Sequence, residues 1–170
     1  LLFSKDNNSF QGLLFGVTKE EFCYESGDIL DVAVNAGINE YGGERNISVR
    51  IRAIRVSGTD DSRLFEEMDL TDRFIKGQNV EPEALLPTRE EVGKIYKSIA
   101  LKPVLKDRII SLNQNSLGYA KTAVALMTLT QLNLVQLDKN RILSLGSTRQ
   151  KTELTNSPIY KNLIERRDGK

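Results

Sequence analysis

A chain of 170 residues has room for one ordinary domain or two small ones. At 39% hydrophobic and 28% charged, its composition excludes wholesale disorder, and no apolar run approaches the roughly 18 residues of a membrane span. A single cysteine, Cys23, excludes an internal disulfide and fits a reducing, cytoplasmic compartment. The lack of any histidine removes the commonest general base and the commonest transition-metal ligand together.

Nucleophilic catalysis of the Ser-His-Asp or Cys-His type is therefore out of reach, and Cys23, between Phe22 and Tyr24, reads as core. The opening "LLFSKDNNSF" has no initiator Met and no basic segment before an apolar one, so it is not a secretory signal; it starts within a strand pattern, as a fragment of a longer protein would. The net charge of +1 hides an asymmetry. Residues 1–87 hold 9 Lys and Arg against 16 Asp and Glu, and residues 88–170 hold 15 against 7. A basic half of that kind suits a phosphate-bearing partner, or is a solvated surface.

Residues 1–57 read as all-β. "LLFSK", a "DNN" turn, "SFQGLLFG", a short helix or turn at "TKEEFCYES", "GDILDVAVN" and a hairpin at "NEYGGERNISVRIRAIR" give five strands. Short antiparallel strands hide their edges by closing, which predicts a small five-stranded barrel of the OB type. Gly12, Gly16 and Gly27 fall where corners are needed, and Gly42-Gly43 supplies the positive φ angles of a tight turn. In the last strand Ile47, Val49 and Ile51 alternate with Ser48, Arg50 and Arg52, giving one apolar face and one carrying guanidinium groups. After Arg52 the apolar phase slips, because Ala53 and Ile54 are adjacent. A β-bulge there would re-aim Arg55.

Residues 58–83 read as a helix and a linker. "DDSRLFEEMDLTDRFIK", 60–76, places Leu64, Phe65, Met68 and Ile75 at helical spacing, with Gly77 as its cap, and 77–87 holds two prolines. Its carboxylates at 60–61 and 66–69 are candidate Mg²⁺ ligands or, more simply, a solvated helix face. Residues 84–170 are mostly helical. Thr88 and Glu91 form a capping box; helices follow to about Ile99, over about 104–112 and over about 117–132; and "LVQLDKNRILSLG" reads as a hairpin turning at Asp138-Lys139-Asn140. Ser157 caps a last helix with Pro158 at its first position. Three helices and a hairpin are the order of a winged helix, so the fold class is α+β, a barrel followed by a winged-helix-like domain. Tyr96, Tyr119 and Tyr160 read as packing residues.

On an OB-type face, cations track a nucleic-acid backbone and aromatics stack on bases. Arg50 and Arg52 share a face there, with Tyr41 and Arg45 beside the turn. Alternating arginine also serves simply to solubilise a sheet and to pair with carboxylates such as Glu40 and Glu44. In the helical block Lys121, on the third helix, and Lys139 and Arg141, at the wing tip, could meet phosphates. The third helix, "GYAKTAVALMTLTQLNL", has no array of Arg or Asn suited to base edges, so sequence-specific duplex reading is not expected. A docking module that receives an acidic peptide is the alternative, and a winged-helix DNA-binding regulator is another.

"GDILDVAVNAGINEYGGERNISVRIRAIR" resembles the OB domain of the RecJ single-strand-specific DNA exonucleases, and "SFQGLLFG" is similar to that family's upstream strand ending in Phe-Gly. "LPTREEVGKIYKSI" and "KTELTNSPIYKNL" are similar to the extra C-terminal region of the longer RecJ proteins of Gram-positive bacteria. The resemblance covers roughly residues 1–57 and 84–165, in the family's order. It departs at Tyr41, where Trp is usual, and at Gly42, where Asn is common. It implies a part of a 5′→3′ exonuclease of DNA repair and recombination that guides single-stranded DNA; in the docking alternative the partner is a single-strand-binding protein or another repair factor. The Asp-His-His core that holds Mn²⁺ or Mg²⁺ in that family lies upstream of the OB domain. With no histidine, this chain contains none of that core and is not expected to cleave DNA or to carry a cofactor itself.

Overall fold

Alternation of apolar and polar residues on both sides of Gly42-Gly43 builds a long antiparallel ribbon, β3 (Leu30–Tyr41) paired with β4 (Glu44–Val56). Gly42 and Gly43 have φ of 64° and 85°, a backbone that a side chain resists and that matches the twist of a two-residue hairpin loop. The computed structural model describes residues 1–148 and 150–169, the side chain of Tyr41 excepted. The chain divides into two units, Leu1–Gly58 and Thr59–Lys170.

In the first unit β1 (Leu2–Lys5) and β2 (Asn8–Gln11) form a second, shorter hairpin. The ribbon is irregular at one place. Ala33 faces Ala53 and Val34 faces Ile51, so Arg52 is an extra, unopposed residue. The expected bulge is present, one residue earlier than the phase slip suggested. It brings Ile54 and Val56 back to the side of Ile47, Val49 and Ile51, opposite Val32 and Leu30.

No closed barrel is found among the described residues: the pairings are β1 with β2 and β3 with β4. Two features separate this from the expected five strands. "GDILDVAVN" and the first hairpin strand are continuous in β3, because Asn35-Ala36-Gly37 stays extended instead of turning. Between β2 and β3 the chain makes one parallel bridge to the ribbon, Leu13 with Arg50, where Leu13 N–H donates to Val49 O at 2.9 Å and Ile51 N–H donates to Leu13 O at 2.8 Å, and the Tyr24 hydroxyl donates to Ile54 O at 3.2 Å. One bridge does not complete the ring of ladders that abolishes edges.

In the second unit α1 (Asp61–Ile75) starts at Asp60, whose carboxylate accepts from Arg63 N–H at 3.2 Å. It ends with Gly77 N–H donating to Phe74 O and Gln78 N–H to Arg73 O, the paired bonds of a Schellman stop. The stretch read as a linker is structural: Val80 and Leu85 are buried, and α2 (Pro82–Leu85) lies within it. Residues 59–83 thus belong to the second unit. Phe74, Val80 and Leu85 pack with Ala120, Val124 and Leu163, and that apolar demand is what recruits them.

Next come α3 (Arg89–Leu101), β5 (Val104–Leu105), α4 (Lys106–Asn113), α5 (Tyr119–Gln131), β6 (Val135–Leu137), β7 (Ile142–Leu145) and α6 (Pro158–Arg167). The capping box opens α3, with Glu91 N–H donating to Thr88 Oγ1 and Thr88 N–H to Glu91 Oε2. Ser157 caps α6 as expected. Val104-Leu105, read as the start of a helix, form a strand instead, and the sheet order is β5-β7-β6, all antiparallel. β-branched Val104 and the flanking Pro103 favour extension over helix there. Helix α5 is central: Leu129 and Leu126 join Val92, Ile95, Ile99, Ile109 and Leu143 in one core, and Val124 joins the other. Among the described residues no helix is long and apolar enough to cross a membrane.

Candidate nucleic-acid interface

The pairing register fixes which side chains share the polar face of the ribbon. Asn35 stands opposite Arg50, Gly37 opposite Ser48, Asn39 opposite Asn46 and Asp31 opposite Arg55. The extra residue, Arg52, stays on the side of Arg50, and its insertion keeps Arg55 on that face too; without it Arg55 would turn to the apolar side. Strand residues two apart are spaced by roughly 6.6 Å, so Arg50 and Arg52 form adjacent cationic positions along β4.

Their environments differ. With the Asn35 amide oriented as its neighbours require, its oxygen accepts from Nε and Nη2 of Arg52 at 3.0 Å each. A neutral amide orients that guanidinium and leaves its charge uncompensated. Arg50 is exposed, with no carboxylate at ion-pair distance among the described residues. Arg55 donates to Asp31 Oδ2 at 3.3 Å. The Ser57 hydroxyl and then the Arg55 guanidinium hold the Asp31 carboxyl below its usual range. Asn39 and Asn46, which the sequence reading passed over, add amide donors and acceptors to the same face. Asn46 continues the alternation of Ser48 and Arg50, and the pairing register adds Asn39 opposite it.

Arg45 belongs elsewhere. It stands opposite Glu40, on the side of Ile38 and Ile47, and its Nε is ion-paired with Glu40. The carboxylate pairing considered from the sequence holds for this residue. The Tyr41 side chain lies outside the described residues.

In the second unit Arg141, with a φ of 64°, donates to Asp107 at 2.7 Å, which anchors the β6–β7 hairpin to α4. Lys139 is exposed in the hairpin turn, where the Asp138 carboxylate accepts from the N–H groups of Asn140 and Ile142 at 2.9 and 2.8 Å. Lys121 is half-buried on α5. That helix is a poor groove reader by position. Ala120, Thr122, Ala123, Val124, Ala125, Leu126, Thr128 and Leu129 are buried, so most of its circumference faces protein.

The acidic helix α1 explains part of the charge asymmetry. Glu67 reaches the first turn of α5, where its Oε2 accepts from the N–H groups of Tyr119 and Ala120, and Arg63 Nε pairs with its Oε1 at 2.7 Å. Asp69 pairs with Arg73 and Asp72 with Lys76. These carboxylates serve caps and ion pairs, and no group of three or more metal-ligating side chains is found among the described residues. With α1 counted in its own unit, residues 59–170 hold 18 Lys and Arg against 15 Asp and Glu, and residues 1–58 hold 6 against 8. The basic excess of the C-terminal half is largely offset within its own unit.

Comparison with protein-family models, with curated proteins and with solved structures returns no match.

Proposed function

We propose that the chain binds single-stranded DNA through the polar face of the β3–β4 ribbon, as the DNA-guiding part of a RecJ-like 5′→3′ single-strand-specific exonuclease. The observation that carries this reading is the arginine pair on β4: Arg50 without a carboxylate partner among the described residues, and Arg52 oriented by a neutral amide. Cations left uncompensated beside amide groups suit a phosphate backbone, and they carry no base-edge code. In this reading the two hairpins are strands of an OB-type face, and the second unit is winged-helix-like. The sheet order β5-β7-β6 around α3, α4 and α5 supports the latter. The buried circumference of α5 favours single-strand guiding over duplex reading by a regulator.

The test is anisotropy of a labelled single-stranded oligonucleotide and of its duplex across a salt series. Single-strand preference is expected. In the Arg50→Ala/Arg52→Ala variant, affinity falls and the slope of log K against log salt shrinks by about 0.7 for each lost phosphate contact. Unchanged affinity and slope would refute the assignment.

A further inference from the structure

The second unit carries a groove of about 330 Å³ along α5, at the lower end of the range for ligand clefts. Its floor is the face of α5 on which Tyr119, Ala123, Met127 and Thr130 recur at helical spacing, with the buried Ala123 at its base. Ile75 of α1 and Leu137 of β6 stand at its sides. They are 61% and 44% exposed, and two exposed aliphatic side chains converging on one groove from different elements are not the scattered apolar residues of an ordinary surface.

One lining residue carries a formal charge, Lys106, at the first position of α4. No carboxylate lies at ion-pair distance from its ammonium among the described residues. The neighbouring Asp107 is taken by Arg141 at 2.7 Å, and Asp72 is taken by Lys76. Helix α4 also begins without a side-chain cap, so its dipole adds positive potential beside Lys106. An apolar floor with one uncompensated cation is complementary to an apolar segment that bears a carboxylate.

We propose that this groove docks a short acidic and aliphatic peptide segment of a partner protein. Its aliphatic side chains lie against Met127, Ile75 and Leu137, and its carboxylate reaches Lys106. This site is independent of the ribbon and of the DNA reading. A nucleic-acid backbone would find a single cation here, Lys106, and no track of cations to follow.

The experiment is an NMR titration of the ¹⁵N-labelled full chain with a peptide of core Leu-Leu-Asp-Asp and with its Leu-Leu-Asn-Asn counterpart. Expected are amide shifts concentrated on α5, Ile75 and Leu137, with the aspartate peptide binding about tenfold tighter, the worth of one charge-assisted contact. Lys106→Gln should erase that difference. Ile75→Asp, at an exposed position that leaves folding intact, should abolish binding. The proposal is overturned if groove amides do not shift at millimolar peptide, or if the two peptides bind alike and Lys106→Gln changes nothing. It is also overturned if a single-stranded oligonucleotide displaces the peptide, because the groove would then be nucleic-acid surface.

Discussion

The two units use their apolar residues in opposite ways. Among the described residues of the first unit, Ile51 is the one buried hydrophobic side chain, while Ile38 and Ile47, cross-strand partners on the ribbon, are 72% and 81% exposed. In the second unit Leu85, Val124 and Leu163 are fully buried, in a core built from helices far apart in sequence. Both units have clean apolar periodicity. The difference is the second layer. A helix stripe in the second unit meets other stripes, whereas the ribbon's apolar face is one layer of a sheet, and a two-stranded hairpin gains little stability alone. Periodicity defines a face, and a partner layer turns it into a core.

Substitutions break or sharpen that contrast in a defined order. Leu163→Ala, in the second core, should cost about 2–5 kcal/mol in urea unfolding, the transfer loss plus a cavity. Glu67→Ala strips the cap from α5 and leaves Tyr119 and Ala120 N–H without their acceptor, for about 1.5–3 kcal/mol by the same measurement. A loss as small as that of a surface substitution would mean that α1 is not docked on α5 through this carboxylate.

Tyr160→Phe comes next. The buried Tyr160 hydroxyl donates to Pro87 O at 3.0 Å, so its loss should cost about 1 kcal/mol at neutral pH. Burial raises the phenol above its ordinary range, against the opposing pull of Arg167 and Arg89. The neutral phenol is therefore the form the fold favours. Its contribution is complete below about pH 10, the unfolded value, and is lost as pH rises through the folded one. Wild type and Tyr160→Phe should accordingly converge in alkaline thermal melts, and a gap that widens with pH would contradict this. Smallest of all, Ile47→Ser on the exposed ribbon face should stay within about 0.5 kcal/mol. A cost of several kcal/mol would mean that this face is covered in the protein in solution.

Read alone, the sequence determined what lies within a few residues. The Thr88–Glu91 capping box, Ser157 before Pro158, the Gly42-Gly43 turn, the alternating strand and the existence of a bulge all follow from side chains acting on their own backbone or on their nearest neighbours. Such interactions close over three or four residues and leave a pattern in the chain. Even there, one residue mattered: the bulge sits at Arg52 itself, and the register across to Asn35 could not be read from β4 alone.

The tertiary structure decided the rest. It made α1 and the supposed linker part of the second unit, brought Glu67 to the start of α5 across 52 positions, and set β7 between β5 and β6. It also sorted the arginines, giving Arg45 to Glu40, Arg55 to Asp31 and Arg141 to Asp107, and leaving Arg50 and Arg52 as the uncompensated pair. An unpaired and a paired arginine are the same letter. The field at each one depends on which carboxylate folding brings within a few ångströms, and Coulomb energy is set by that distance in space and not by separation along the chain.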